Sequence, residues 1–227
     1  MRRSQVNGAI REAERFLEER RFHLPPFAFW RPEEWRERAG AGEIIRLRLG
    51  WDITDFGSGD FARTGLVLFT LRNGSPDALS AGRGKLYCEK ILIAEAGQVT
   101  PAHYHEVKTE DIINRGGGTL RVQVWEADPD GALSASDTRV EVDAVTRAVP
   151  AGGIVDLTPG ESITLPPRLY HRFWPEGERT VIGEVSLVND DERDNRFLAP
   201  VARFPEIDED EPPYRLLVGD YATIGGA

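Results

Sequence analysis

One cysteine, Cys88, stands in 227 residues. It excludes an intramolecular disulfide framework and fits a reducing compartment. Lysine is nearly missing: of 28 basic residues only Lys85, Lys90 and Lys108 are lysine, and the rest are arginine. Histidine is scarce too, limited to His23, His103, His105 and His171. No long apolar run is present. Gly65–Phe69 is typical in length, whereas a membrane-spanning helix needs about 20 apolar residues. Basic charge is outweighed, 28 Lys+Arg against 38 Asp+Glu, a net of −10. Phosphate-rich partners call for a basic surface, so neither nucleic acid nor an anionic membrane is an expected partner. Met1–Val6 starts positively charged, but Arg11, Glu12, Glu14 and Arg15 interrupt the stretch where a signal peptide is apolar. A cytoplasmic protein is expected.

What is present begins with helix. Val6, Ile10, Ala13 and Leu17 recur at spacings of three and four, with charge on the opposite face. Ser4 is the expected cap. Pro25–Pro26 breaks this helix, and a second short one is expected from Pro32 to Gly40. From Glu43 the period changes to two, with Ile45, Leu47 and Leu49 alternating with Arg46 and Arg48. Strand-like runs follow at 66–71, 86–94, 120–125, 140–149, 163–165 and 181–188, separated by turn signals such as Asn73-Gly74 and Pro159-Gly160. Many short strands without intervening helices indicate an antiparallel sandwich or barrel. The expected organisation is a helical segment over 1–42, a β-barrel over 43–190, and an arm over 191–227 covering or flanking the barrel mouth. Tyr214, Leu216, Leu217 and Tyr221 are expected to fold that arm back.

Three of the four histidines fall in two segments. His103 and His105 are two apart, so on one strand both point to one face. Glu110 has the wrong parity for that strand, but a turn over 106–109 would bring it to the same centre from a neighbouring strand. His171 arrives from a distant part of the chain. Three imidazoles and one carboxylate suit a divalent transition metal. An isolated His-x-His is more often two packed or surface histidines. The wider spacing decides for metal: Gly97, His103, His105, Glu110 and Gly117 fit the first motif of the cupin family, and Gly160, Pro166 and His171 fit the second. Arg168 and Pro175 stand where that family has glycine and asparagine.

The resemblance to cupins implies a fold that is mainly β, a cupin-type antiparallel β-barrel (jelly roll) with short N-terminal helices. It does not fix the reaction. Other residues narrow it. Lys108 lies between the ligands of the first motif, and Lys90 begins the strand that leads into it. Lysine titrates when buried, whereas arginine does not. Glu184 and Ser186 share one face opposite Val185 and Leu187, and the polar pair is expected to face the cavity if the apolar pair faces the core. The polar stretch 188–197 follows and is expected to close over the mouth.

These features together resemble the D-lyxose isomerase family, a sugar-isomerase branch of the cupins. The shared stretches are the helical N-terminus, the first motif with its inserted Lys108, His171–Trp174, Gly183–Asp191 and Asn195–Phe197. The resemblance implies aldose–ketose conversion of D-lyxose to D-xylulose, and further D-mannose to D-fructose, through a cis-enediol. It implies manganese as the divalent metal, held by His103, His105, Glu110 and His171, and a homodimer. Proton movement between the two carbons needs a positioned acid and base. Lys108 is one candidate, with Glu206 on the arm or Glu184 on a strand as the carboxylate. Lys90, Asp190 and Arg196 are candidates for substrate binding. The acidic balance favours a small neutral monosaccharide over a sugar phosphate. A metal-dependent cupin dioxygenase and a non-catalytic sugar-binding cupin remain alternatives.

Overall fold

The computed structural model describes residues 1–191, 193–202 and 205–224. Of the arm expected over 191–227, residues 192, 203, 204 and 225–227 thus lie outside the described residues. Helix α1 spans Arg3–Glu19 and buries Val6, Ile10, Ala13, Phe16 and Leu17, the expected apolar stripe. Its cap is Arg2, whose N–H donates to Gln5 Oε1 at 2.9 Å. Ser4 sits inside the first turn instead, giving its N–H and hydroxyl to Asp210 at 2.9 and 2.7 Å.

The helix expected from Pro32 to Gly40 is reduced to one 3-10 turn, Glu34–Arg36, and another 3-10 turn, Pro26–Phe29, precedes it. Trp35 is drawn inward against Trp30 and Tyr221, with ring centroids 5.1 and 4.9 Å away. The strand expected from Glu43 is helix α2, Ala41–Arg46. Its alternation of Ile and Arg also fits one helical turn, in which Ile44 and Ile45 pack on the Trp35–Tyr221 cluster. Gly50 then takes φ 127° where a Cβ would collide with the Tyr221 hydroxyl, and the chain becomes extended.

The strands run in chain order as β1 Gly50–Thr54, β2 Leu66–Arg72, β3 Tyr87–Ala94, β4 Thr100–His105, β5 Glu110–Gly116, β6 Thr119–Glu126 and β7 Thr138–Val142. They continue as β8 Val145–Val149, β9 Ile154–Leu157, β10 Ser162–Leu165, β11 Leu169–Glu176, β12 Thr180–Leu187 and β13 Asn195–Phe197, with a short helix α3 at Pro76–Ser80. The run expected over 140–149 is therefore a hairpin. Asp143 and Ala144 turn it at φ 49° and 64° without glycine. The Asp143 carboxylate is held there by the N–H and hydroxyl of Ser162.

An eight-stranded sheet, in the order β1-β2-β3-β12-β5-β10-β7-β8, faces a five-stranded sheet ordered β13-β4-β11-β6-β9. The strand pairs of both sheets are antiparallel. The expected jelly-roll barrel is thus present. Its core takes Leu68, Leu92, Ile112, Ile163 and Ile182 from the larger sheet and Val122, Val124, Leu157, Leu169 and Phe173 from the smaller. A second apolar cluster lies outside the larger sheet, where α1 packs on Trp51, Ile53, Phe69, Ile91, Ile93 and Val181. Strands β1 to β3 are covered on both faces, which explains their continuous apolar runs.

The inner face of the larger sheet divides along its length. One cross-strand row is apolar, Leu68–Leu92–Ile182. Two residues along, the row becomes Thr70–Lys90–Glu184. That polar end holds the site. Among the described residues no helix is long and apolar enough to cross a membrane.

Candidate active site

His103 and His105 point inward from β4, and Tyr104 between them points outward to stack edge-on against Tyr170, as alternation requires. His171 of β11 pairs in register with His103. Glu110 opens β5 in the opposite sheet, after the chain has turned over 106–109. The four side chains are buried, and one ligating atom from each lies within 4.8 Å of the others. The turn before His171 survives the loss of the motif's glycine. Arg168 itself takes φ 64°, a conformation costing a non-glycine residue about 1–2 kcal/mol. Its N–H donates to His105 O at 2.9 Å, and its guanidinium to Asp128 O at 2.6 Å.

The donor set fits a divalent cation. The ring Nδ1 atoms of His103 and His171 lie 2.8 and 3.0 Å from the carbonyls of Pro101 and Leu169. A carbonyl only accepts, so each Nδ1 carries a proton, and in the neutral ring it is Nε2 that presents a lone pair. His171 Nε2 faces Glu110 Oε1 at 3.1 Å, and His105 Nε2 faces Glu110 Oε2 at 3.3 Å. Neither buried Nε2 has a hydrogen-bond partner. Lone pairs directed at a carboxylate are the arrangement that a cation completes. Burial, then the neighbouring His171 and His105, push His103 well below the usual histidine range. Burial and Lys108 lower His105. Both favour neutral imidazoles, the form that ligates.

Beside the ligands lies a buried ionic chain. Lys108 Nζ is 2.7 Å from Glu110 Oε2 and 2.9 Å from Glu184 Oε1. Lys90 Nζ lies 3.1 Å from the same Glu184 oxygen, 2.7 Å from Asn189 Oδ1 and 4.0 Å from Asp191. Burial opposes the charge on Lys108, but Glu110 and Glu184 outweigh it and keep the ammonium protonated. Burial likewise opposes ionisation of Glu184, and Lys108 and Lys90 overcome it, holding the carboxylate below its usual range.

A cavity of about 50 Å³ lies over this cluster, lined by apolar Phe56, Leu92, Phe173 and Phe197 and by polar Lys90, Lys108, Glu184, Asp191 and Asn195. A larger concavity of about 770 Å³ runs along the outer side of α1, takes in His23, and contains none of the ligating residues.

Of the expected site residues, His103, His105, Glu110, His171, Lys90, Lys108 and Glu184 are therefore gathered in one place. Glu206, Asp190 and Arg196 are not among the residues around that cavity. Glu206 is exposed, and its carbonyl accepts from the terminal amine of Met1 at 2.9 Å. The acidic run serves α1: Glu209 pairs with Arg3, Asp210 with Ser4 and Glu211 with Asn7. Negative charge is favourable at a helix N-terminus. Arg196 points outward, bonding the carbonyls of Arg193 and Asn195. Its neighbours Asn195 and Phe197 face in, paired with His105 and His103. Asp190 lines an adjoining cavity, and Asp191 stands at the site instead. Glu184 and Ser186 face inward as expected, but Val185 does not reach the core. It is 40% exposed on the outer face, beyond the region covered by α1.

Sequence reasoning also passed over Asp194. Its carboxylate accepts the N–H groups of Val107 and Lys108 at 2.7 and 3.2 Å and lies 3.8 Å from His105 Nδ1. It fixes the turn carrying Lys108 between the ligands. An acidic residue in a polar stretch carries no signal of that contact.

A sequence profile described as D-lyxose isomerase matches residues 1–221. The D-lyxose/D-mannose isomerase of Serratia proteamaculans is 47% identical over 226 residues, spanning 97% of this chain and 98% of the relative. The protein of the same name from Escherichia coli O157:H7 is 46% identical over 225 residues, with the same coverage of 97% and 98%. The L-ribose isomerase of Cellulomonas parahominis superposes with a TM-score of 0.61 at 18% identity, over 92% of this chain and 98% of that one. That likeness shows the shared barrel. The full-length profile match and the high identity of the two relatives go further: the chain belongs to the D-lyxose isomerase family.

Proposed function

We propose that the protein is a metal-dependent isomerase interconverting D-lyxose with D-xylulose, and D-mannose with D-fructose. The observation that carries this reading is the Lys108–Glu184 pair, 2.9 Å apart and buried beside the four-ligand cluster. An aldose becomes its ketose when the proton on C2 moves to C1 and the hydroxyl proton on O2 moves to O1, so that the carbonyl passes from C1 to C2. His103, His105, Glu110 and His171 would hold a divalent cation, manganese in our reading, which would supply Lewis acidity to the reacting carbonyl.

The rest is work for side chains. Glu184 is the base: an anionic carboxylate takes the proton from C2 of the aldose, exchanges it in part with solvent during the life of the cis-enediol, and delivers a proton to C1. Lys108, kept protonated, donates a hydrogen bond to the oxygen on which negative charge develops. The two lysines also hold Glu184 in place. Phe56, Phe173 and Phe197 limit water around the intermediate. Glu206 is not needed in this scheme. We further infer a cytoplasmic homodimer, supported by the lone free Cys88 and by exposed Tyr87 and Val185 on the larger sheet.

The test uses chelator-treated protein reloaded with manganese under nitrogen. D-lyxose should be converted without consumption of oxygen, which also separates an isomerase from a dioxygenase. Glu184→Gln should bind manganese and lose at least 100-fold in kcat. Unchanged kcat removes Glu184 from the mechanism.

A further inference from the structure

The cavity over the ligands, about 50 Å³, is too small for a whole sugar, since ligand sites usually run to about 300–1,000 Å³. A second cavity of about 250 Å³ adjoins it and shares Leu68 and Asp191 as walls. The polar chain of the site leads there. From Glu110 it passes through Lys108 and Glu184 to Lys90, and from Lys90 to Asn189 and Asp191, both on the wall of the second cavity. A third cavity, of about 350 Å³, also touches Lys108, but Leu79, Val107, Leu187 and Val188 make its walls largely apolar. A polyol chain favours the second.

Its walls match that chain. Thr70, the cross-strand partner of Lys90, is buried, turned inward and on the wall of the second cavity. Arg48, Asp52 and Asp190 add donors and acceptors of both signs. Asn73 holds the wall in place: its amide donates to Asn189 O at 3.1 Å and its carbonyl accepts from Asn189 N at 3.0 Å.

We propose that this second cavity is the subsite for the distal end of the sugar, and that Thr70 recognises the hydroxymethyl group which a hexose carries and a pentose lacks. The inference rests on the isomerase reading above. D-mannose has the configuration of D-lyxose at the carbons they share and adds one hydroxymethyl, so the pair isolates the subsite.

The manganese-loaded protein is assayed with both sugars, and the kcat/KM for D-mannose is divided by that for D-lyxose. Val218→Trp, which fills the cavity from its rim, should lower this ratio at least tenfold. Thr70→Val, which removes only the hydroxyl, should lower it about threefold to tenfold. The second variant preserves shape and keeps the test open if the tryptophan prevents folding. A ratio within twofold of the unmodified protein in the folded variants overturns the subsite while leaving the isomerase reading intact. A protein that converts neither sugar overturns both.

Discussion

Cys88 lies on the inner face of β3, paired with Ser186 of β12 and completely buried. Burial pushes its thiol up to about 12, and the charge of Glu184 adds to the rise. The sign of the consequence is fixed. Above about pH 8.5 an unfolded thiol ionises while the native one does not, so stability is lost as pH climbs towards 12. Denaturant titrations should therefore show a smaller alkaline loss of stability in Cys88→Ala than in the unmodified protein. Equal losses would contradict this environment. Asp194 offers a second test at this scale. Asp194→Ala frees the turn that carries Lys108 and removes the carboxylate facing His105, so manganese affinity should weaken about 10- to 100-fold in calorimetry. An unchanged affinity would reduce Asp194 to a loop contact.

The cluster that could hold a metal is legible at the residue scale because its chemistry is tied to spacing. Parity on one strand fixes His103 and His105, and the cupin motif fixes Glu110 and His171. The carboxylate base was left between Glu184 and Glu206, since sequence does not say where an irregular arm travels. Parity also places Arg196: on β13 its neighbours Asn195 and Phe197 pair with His105 and His103 and face the cavity, so Arg196 faces away from it.

Among the elements, α1 bears the most weight outside the barrel. It covers the outer face of β1 to β3, and Arg3 lies between the carboxylates of Glu209 and Asp220, bidentate to each. Ile10 is fully buried against the sheet. Ile10→Ala should cost about 2–5 kcal/mol of unfolding free energy. A loss below about 0.5 kcal/mol would mean that the helix is only loosely docked. Sequence periodicity located this helix well because one face alone is buried. The strand expected over 43–49 is not formed, because its alternating Ile and Arg serve a helical turn packed on Trp35, just upstream, and Tyr221, from the far end of the chain. The hairpin at 143–144 escaped notice because Asp and Ala replaced the usual glycine.

At the scale of the whole molecule, the two sheets share one core and one site, so metal binding and folding are linked. His103, His105 and His171 come from two neighbouring strands of the smaller sheet and Glu110 from the larger one. A cation that binds only the assembled site at 100 times its Kd stabilises by about 2.7 kcal/mol, or roughly 5–10 °C in Tm for a chain of this size. Chelation should lower Tm by that order, and His171→Ala should erase the metal-dependent part. An identical Tm with and without metal would argue that the cluster is not a metal site. The acidic balance that argues against a nucleic-acid partner is partly accounted for in the fold: the run at 206–211 caps α1 and leaves the cavity to a nearly balanced set of two lysines and three carboxylates.

The central claim is proton transfer by Glu184 beside a four-ligand metal site. Its most direct measurement is the conversion of D-lyxose by the manganese-loaded protein in D2O, with the product read by NMR. The account predicts D-xylulose carrying solvent deuterium at C1. Unlabelled D-xylulose, as a hydride shift would give, or no conversion at all, would contradict it.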